Sequence, residues 1–190
     1  MHKPEFRKRY LEKRKSLTEG ELAQYNQQLY HRFFSHFDLS FLQVIHLYLP
    51  LEKNKEPDTW PILDRIRREF PHIKISIPKI NNQTSELENF YFEGMHEIKN
   101  NAWGIPEPKQ GVPTISAEID LVLIPLLLFD EKGNRVGYGK GFYDRFLKQC
   151  RPDCKKIGLS FFDPVAIIAD VNEQDVKIDY CITPKEVYSF

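Results

Sequence analysis

The residues best suited to chemistry stand close together in GNRVGYGKGFYDRFL, Gly133 to Leu147. Four glycines and a lysine fall within its first nine residues, and two aromatics, an aspartate and an arginine follow. Glycines let backbone N–H groups approach an anion and adopt positive φ, and a lysine adds a mobile point charge. That combination suits phosphate binding. The spacing is not that of the best-known nucleotide loops. A Walker loop has four residues between its first glycine and the Gly-Lys pair; here five separate Gly133 from Gly139, and Gly141 stands where a Ser or Thr belongs. The dinucleotide pattern G-x-G-x-x-G is also unmet, because Gly137, Gly139 and Gly141 alternate. Taken by itself, GYGKG is equally compatible with a turn, DEKGN (Asp130 to Asn134), leading into a loose helix start. Asp144, one helical turn past Lys140, could hold magnesium near phosphates or simply pair with Lys140 or Lys148.

The elements that must position this loop are legible as periodicity. The first forty residues read as helix: Pro4 suits a first turn, and Phe6, Tyr10, Leu11 and Leu17 recur at helical spacing. Thr18 and Glu21 form a capping box for a second helix through Leu22, Tyr25, Leu29 and Phe33. VIHLYLP (Val44 to Pro50) reads as a strand, and EPDTWPILDRIRREF as loop and helix capped by Asp58 or Thr59. Further strands are expected in KISIP, ENFYFEG, KKIGLSF and IDYCIT, with NAWGIPEP as proline-rich loop. DLVLIPLLLF (Asp120 to Phe129) reads as one long buried strand with a bulge at Pro125, and GKGFYDRFLKQC as a helix after it. Alternating strands and helices predict a three-layer α/β/α domain around a mostly parallel sheet, with ligands beyond the carboxyl ends of its strands.

Composition narrows the function classes. In 190 residues, 41% hydrophobic and 28% charged, Lys plus Arg equals Asp plus Glu at 27 each. No global field draws in nucleic acid or an anionic membrane, so neither is an expected partner. No apolar run is long enough for a membrane span, and MHKPEFRKRYLEKRK has no apolar signal core. Glu5 and Glu12 speak against a transit peptide. Cys150, Cys154 and Cys181 are an odd set, expected as reduced thiols in a cytoplasmic protein. Cys150 and Cys154 have helix-face spacing; packing is the simpler role, and a metal site the sharper one.

With its preceding strand, the glycine loop closely resembles the signature of the 5-formyltetrahydrofolate cyclo-ligase family, the 5,10-methenyltetrahydrofolate synthetases. KPEFR, YLPL followed by EPDT, IPK, WGIPEP and DVKIDYCIT agree in order, so the resemblance spans nearly the whole chain. It implies a single domain over residues 1–190, a fold similar to that of the ribose-5-phosphate isomerase and CoA-transferase group, and a monomer. It also implies ATP- and Mg2+-dependent conversion of 5-formyltetrahydrofolate to 5,10-methenyltetrahydrofolate, releasing ADP and phosphate through a phosphorylated formyl group.

The resemblance assigns roles by position. Lys3 and Arg7 match a phosphate-contacting pair, which without the family would read as part of a solvated basic helix. Arg135, Val136, Gly137, Tyr138, Gly139, Lys140, Gly141, Phe142 and Tyr143 match the ATP-binding loop, with Lys140, Arg135 and Tyr143 as the expected catalytic groups. Tyr138 to Phe142 also border the folate site, where Leu49 and Glu56 match an apolar and a carboxylate contact. Trp103 joins Tyr143 as an aromatic wall, although core or loop-anchoring roles suit both. Asp144 and Asp175 match two magnesium-linked aspartates. The chain departs from the family by a couple of extra residues within EKNK, by Phe142 where tyrosine is common, and by Tyr138 where some members have arginine. Rival readings are a different ATP-dependent phosphotransferase on the same scaffold, and a non-catalytic nucleotide- or RNA-binding relative.

Overall fold

Alternate residues of Leu121–Pro125 (β6 below) face opposite sides of the sheet, and both sides are dry. Leu121 and Leu123 join a cluster containing Leu29, Phe33, Ile62, Leu63 and Ile66 from two helices. Val122 and Ile124 join another containing Phe146 and Leu147 from a third helix. A strand buried on both faces must lie between two layers of helix, which is the physical content of an α/β/α sandwich.

A computed structural model describes all of residues 1–190. Its helices are α1 (Lys3–Lys15), α2 (Glu19–His36), α3 (Trp60–Glu69) and α4 (Phe142–Leu147). The first strands are β1 (Val44–His46), β2 (Lys74–Asn81), β3 (Glu86–Tyr91), β4 (Ile98–Asn100), β5 (Pro106–Pro108) and β6 (Leu121–Pro125). They are followed by β7 (Leu128–Phe129), β8 (Arg135–Val136), β9 (Lys155–Leu159), β10 (Tyr180–Ile182) and β11 (Val187–Ser189). The main sheet runs β11-β10-β9-β6-β1-β2-β3. Its inner pairings are parallel, and β3 and β11 close the two edges antiparallel.

The helix signals work as read. Pro4 sits in the first turn of α1. The Thr18 hydroxyl accepts the Glu21 N–H at 3.2 Å, and the Glu21 carboxylate accepts the Thr18 N–H at 2.8 Å. Thr18→Ala is expected to lower stability by about 1 kcal/mol in a urea titration. At α3 the cap position falls on Thr59, but its hydroxyl donates to the Tyr48 carbonyl at 2.6 Å, and Asp58 accepts the Trp60 N–H instead.

Three expectations need correction. The apolar run 120–129 is not one strand. β6 ends at Pro125, and Leu128–Phe129 turns away to pair antiparallel with Arg135–Val136 around the DEKGN turn. The buried Asp130 carboxylate organises that turn, accepting the N–H groups of Lys132, Asn134 and Ile168. Pro125 makes no bulge: the β6–β9 register runs unbroken from Leu121↔Lys155 to Pro125↔Leu159. α4 ends at Leu147, so Cys150 and Cys154 do not share a helix face, and all three cysteines are free thiols. No group of three or more His, Cys, Asp or Glu side chains is arranged to hold a metal. β5 within NAWGIPEP and the edge strand β11 escaped the sequence reading, both being three residues long. No helix is long and apolar enough to cross a membrane.

Candidate active site

β1, β2 and β6 run parallel, so their carboxyl ends open on one side of the sheet. A cleft of about 650 Å³ lies there, bordered by Leu49 beyond β1, by Pro78 and Ile80 in the second half of β2, and by Pro125 at the end of β6. The β7–β8 hairpin then carries the chain back. Leu127 donates to the Val136 carbonyl at 2.8 Å, which sets the glycine loop along the cleft rim.

One end of the cleft is cationic. Lys3 and Arg7 on α1 face it together with Arg135 and Lys140. Lys3 Nζ meets Asp175 Oδ2 at 2.5 Å, and Arg135 donates through both Nη groups to Asp144 Oδ1 at 2.9 Å. The buried Arg135 guanidinium is pulled down from its ordinary pKa by desolvation, with Asp144 and Asp175 opposing. Four cations against two carboxylates leave two positive charges in excess, those of Arg7 and Lys140. Arg7 uses Nε to donate to the Gly137 carbonyl at 3.0 Å, and the Lys140 ammonium has neither a hydrogen bond nor an ion pair. The glycines are needed for this closeness. Gly139 has φ +90, and a Cβ there would stand 2.9 Å from the Arg7 guanidinium carbon.

The other end is aromatic and carries a buried carboxylate. Glu56 accepts the Leu51 N–H at 2.6 Å and the Tyr138 hydroxyl at 2.5 Å. Burial raises its pKa above the ordinary carboxylate value, with the Tyr138 and Leu51 hydrogen bonds and the Arg14 charge pulling the other way. Tyr143 lines the same space, and its buried hydroxyl has no partner within the protein. A buried phenol left unpaired beside a cavity is a group available to a ligand. Across the cleft mouth, Lys53 donates to the Trp103 carbonyl at 2.7 Å, tying the EKNK turn to the proline-rich loop.

The family model described as the 5-formyltetrahydrofolate cyclo-ligase family matches residues 1–184. The chain belongs to this family. It is therefore an enzyme, a ligase. The 5-formyltetrahydrofolate cyclo-ligase of Escherichia coli K12 is 25% identical over 185 residues, covering 94% of this chain and 98% of the relative. The solved structure of Aquifex aeolicus 5,10-methenyltetrahydrofolate synthetase superposes with a TM-score of 0.83 at 27% identity, covering 100% of this chain and 93% of that one. The Mycoplasma pneumoniae 5,10-methenyltetrahydrofolate synthetase gives 0.77 at 26% identity, covering 96% and 98%.

Against the cyclo-ligase expectations, the cleft gathers Lys3, Arg7, Leu49, Glu56, Trp103, Arg135, Gly137 through Asp144, and Asp175. Val136 is the exception. Its side chain packs with Phe6, Leu128 and Ile168, away from the cleft, because inward and outward positions alternate along β8. α4 does begin at Phe142, directly after the loop, but it is only six residues long. Tyr48, Ile80, Ser85, Ile105 and Glu107 also border the cleft and escaped sequence reasoning. They carry no motif; only the position of Tyr48 and Ile80 at or past strand ends could have pointed to them. Arg14, whose neighbour Asn54 also lines the cleft, had no signal among the many basic residues of α1.

Proposed function

We propose that the cleft closes the ring of 5-formyltetrahydrofolate to 5,10-methenyltetrahydrofolate at the expense of ATP. The observation that carries this reading is the division of one cleft into a cationic end with two unpaired charges and an aromatic end with a buried carboxylate. A triphosphate suits the first end, and a flat ring with paired N–H donors suits the second.

The formyl oxygen attacks the γ-phosphorus, forming a P–O bond as the bond to ADP breaks. N10 then adds to the activated formyl carbon, the C–O bond breaks, and phosphate leaves with the N10 proton. The protein's part is positioning and charge neutralisation. Lys140, mobile and unpaired, follows the charge of the transferred group. Arg7 and Lys3 hold the phosphates from α1, and Arg135 keeps Asp144 in place. Glu56 accepts N–H groups of the pterin, and the unpartnered Tyr143 hydroxyl donates toward the ligand. Asp144 Oδ2 and Asp175 Oδ1 have no hydrogen-bond partner in the fold, because the protein's own donors all meet the opposite oxygens. Two carboxylates without a third ligand match how magnesium is held, jointly with substrate phosphates and water. A magnesium ion held by Asp144 and Asp175 would supply neutralisation of phosphate charge.

The deciding assay mixes the protein with 5-formyltetrahydrofolate, ATP and magnesium and follows near-ultraviolet absorbance of the methenyl product. A rise that requires both ATP and magnesium supports the reading; a flat trace from folded protein overturns it.

Glu56 gives a separable prediction. Its folded pKa lies above the unfolded value, so its stabilising contribution is complete below the unfolded pKa and is lost as pH rises through the folded one. At neutral pH the buried carboxylate therefore weakens the fold. Glu56→Gln is expected to melt at the same or a higher temperature while binding 5-formyltetrahydrofolate about tenfold more weakly. Unchanged affinity in calorimetry would remove Glu56 from the ligand site.

A further inference from the structure

Arg14 is a cation with an unusual set of partners. It projects from the last turn of α1 into the protein and is 2% exposed. Nε donates to the Asn54 carbonyl at 2.7 Å, Nη1 to the Leu126 carbonyl at 3.2 Å, and Nη2 to the Tyr138 hydroxyl. None of these acceptors is a carboxylate. A buried guanidinium without an anion is costly, so its compensation must come from beyond its direct partners.

The compensating charge is one group away. The Tyr138 hydroxyl accepts from Arg14 and donates to Glu56 Oε1 at 2.5 Å. Arg14, Tyr138 and Glu56 thus form a chain of two charge-assisted hydrogen bonds with the phenol at its centre. Tyr138 as a whole remains 38% exposed and borders the cleft, while its hydroxyl is engaged between Arg14 and Glu56. The Arg14 guanidinium also lies 5.7 Å from the centre of that ring. The same guanidinium clamps three segments that build the cleft: the EKNK turn through Asn54, the segment after β6 through Leu126, and the glycine loop through Tyr138.

We propose that Arg14 is a positioning residue of the cleft: through the Tyr138 hydroxyl it holds the Glu56 carboxylate aimed at the ligand's N–H donors. The inference rests on the folate reading above, and it couples the glycine loop to the pterin end of the cleft. With the carboxylate so held, a ligand meets a pre-oriented acceptor and loses little in ordering it. The other ionisable groups facing Glu56 are the Tyr48 and Tyr143 phenols, which burial keeps neutral. Burial favours the protonated acid at Glu56, and the Tyr138 hydrogen bond, the Leu51 N–H and the Arg14 charge all oppose it.

The test is a calorimetric titration of the full chain with 5-formyltetrahydrofolate from mildly acidic to neutral pH. The variants are Tyr138→Phe, Arg14→Lys and the double substitution. At neutral pH each single variant should bind about tenfold more weakly. The acidic limb of binding should move to higher pH, because Glu56 protonates sooner without its relay. The double variant should be no weaker than the weaker single one, since both interrupt one chain. A purely structural role would lower affinity without moving the acidic limb, and an unmoved limb in Tyr138→Phe overturns the proposal. If Arg14→Lys does not fold, Tyr138→Phe decides alone, because it leaves the buried guanidinium and its two carbonyl partners intact. Wild-type protein that does not bind 5-formyltetrahydrofolate overturns the folate reading and this proposal together, which separates that failure from an unmoved limb.

Discussion

Lys140→Ala is expected to reduce the rate of methenyl formation by about a thousandfold, roughly 4 kcal/mol of transition-state stabilisation. The magnitude follows from what the other cations are doing. Asp175 holds Lys3 and Asp144 holds Arg135, so their charges are already partly spent on the protein. Arg7 is anchored to the Gly137 carbonyl. Lys140 alone stands on the rim with its ammonium uncommitted, between Gly139 and Gly141, both at positive φ. A point charge on a flexible stem can follow a phosphoryl group as it moves between oxygens. The same exposure means little is lost from the fold, and the melting midpoint should correspond to a change within about 0.5 kcal/mol. Lys140→Arg should recover only part of the rate, because a planar fork delivers its charge differently. A folded Lys140→Ala protein that turns over normally would remove the lysine from the mechanism.

Acid should destabilise the protein through His46 before its carboxylates titrate. His46 lies in β1, at the middle of the sheet, and is fully buried. Nε2 meets Asn89 Oδ1 at 2.9 Å, so that nitrogen carries the proton and Nδ1 is left as a buried acceptor without a partner. Desolvation drives its pKa down from 6.5 to about 3, outweighing the Asn89 bond, which acts in the opposite direction. A depressed folded pKa gives stability that is complete above the unfolded value and drains away as pH falls toward the folded one. The window here runs from 6.5 down to about 3. The loss is on the order of 1 kcal/mol per pH unit inside that window. Urea titrations at a series of pH values should show this slope in the wild type and its absence in His46→Gln, whatever the variant's absolute stability. Equal slopes would show that the imidazole is charged in the fold or that the site opens readily. The consequence reaches the cleft, because the His46 ring lies 6.0 Å from that of Tyr143, which lines it, and a charge there would sit beside that ring.

Much of the chemistry is legible in the order of residues. GYGKG placed after an apolar run, the K-x-x-x-R of α1, and the carboxylates at 144 and 175 all reach one cleft. Local rules suffice for the capping box at Thr18, the start of α4 after Gly141, and the alternation that buries β6 on both faces. These are properties of a few neighbouring residues: period, cap chemistry and glycine's access to positive φ. The same rules mislead at residues 120–129. Hydrophobicity marks that segment as buried but says nothing about where it bends, and the bend depends on Asp130 collecting N–H groups from as far away as Ile168.

What only the tertiary structure decided is which charges are free. In sequence, Lys3, Arg7, Arg14, Arg135 and Lys140 are five of many cations, and Asp144 and Asp175 are two of many carboxylates. Folding joins Lys3 to Asp175 across 172 positions and Arg14 to Tyr138 across 124, turns Val136 inward, and leaves Lys140 unpaired. The physical reason is that an ion pair's partner is set by three-dimensional proximity and desolvation, and neither has a local signature in the chain.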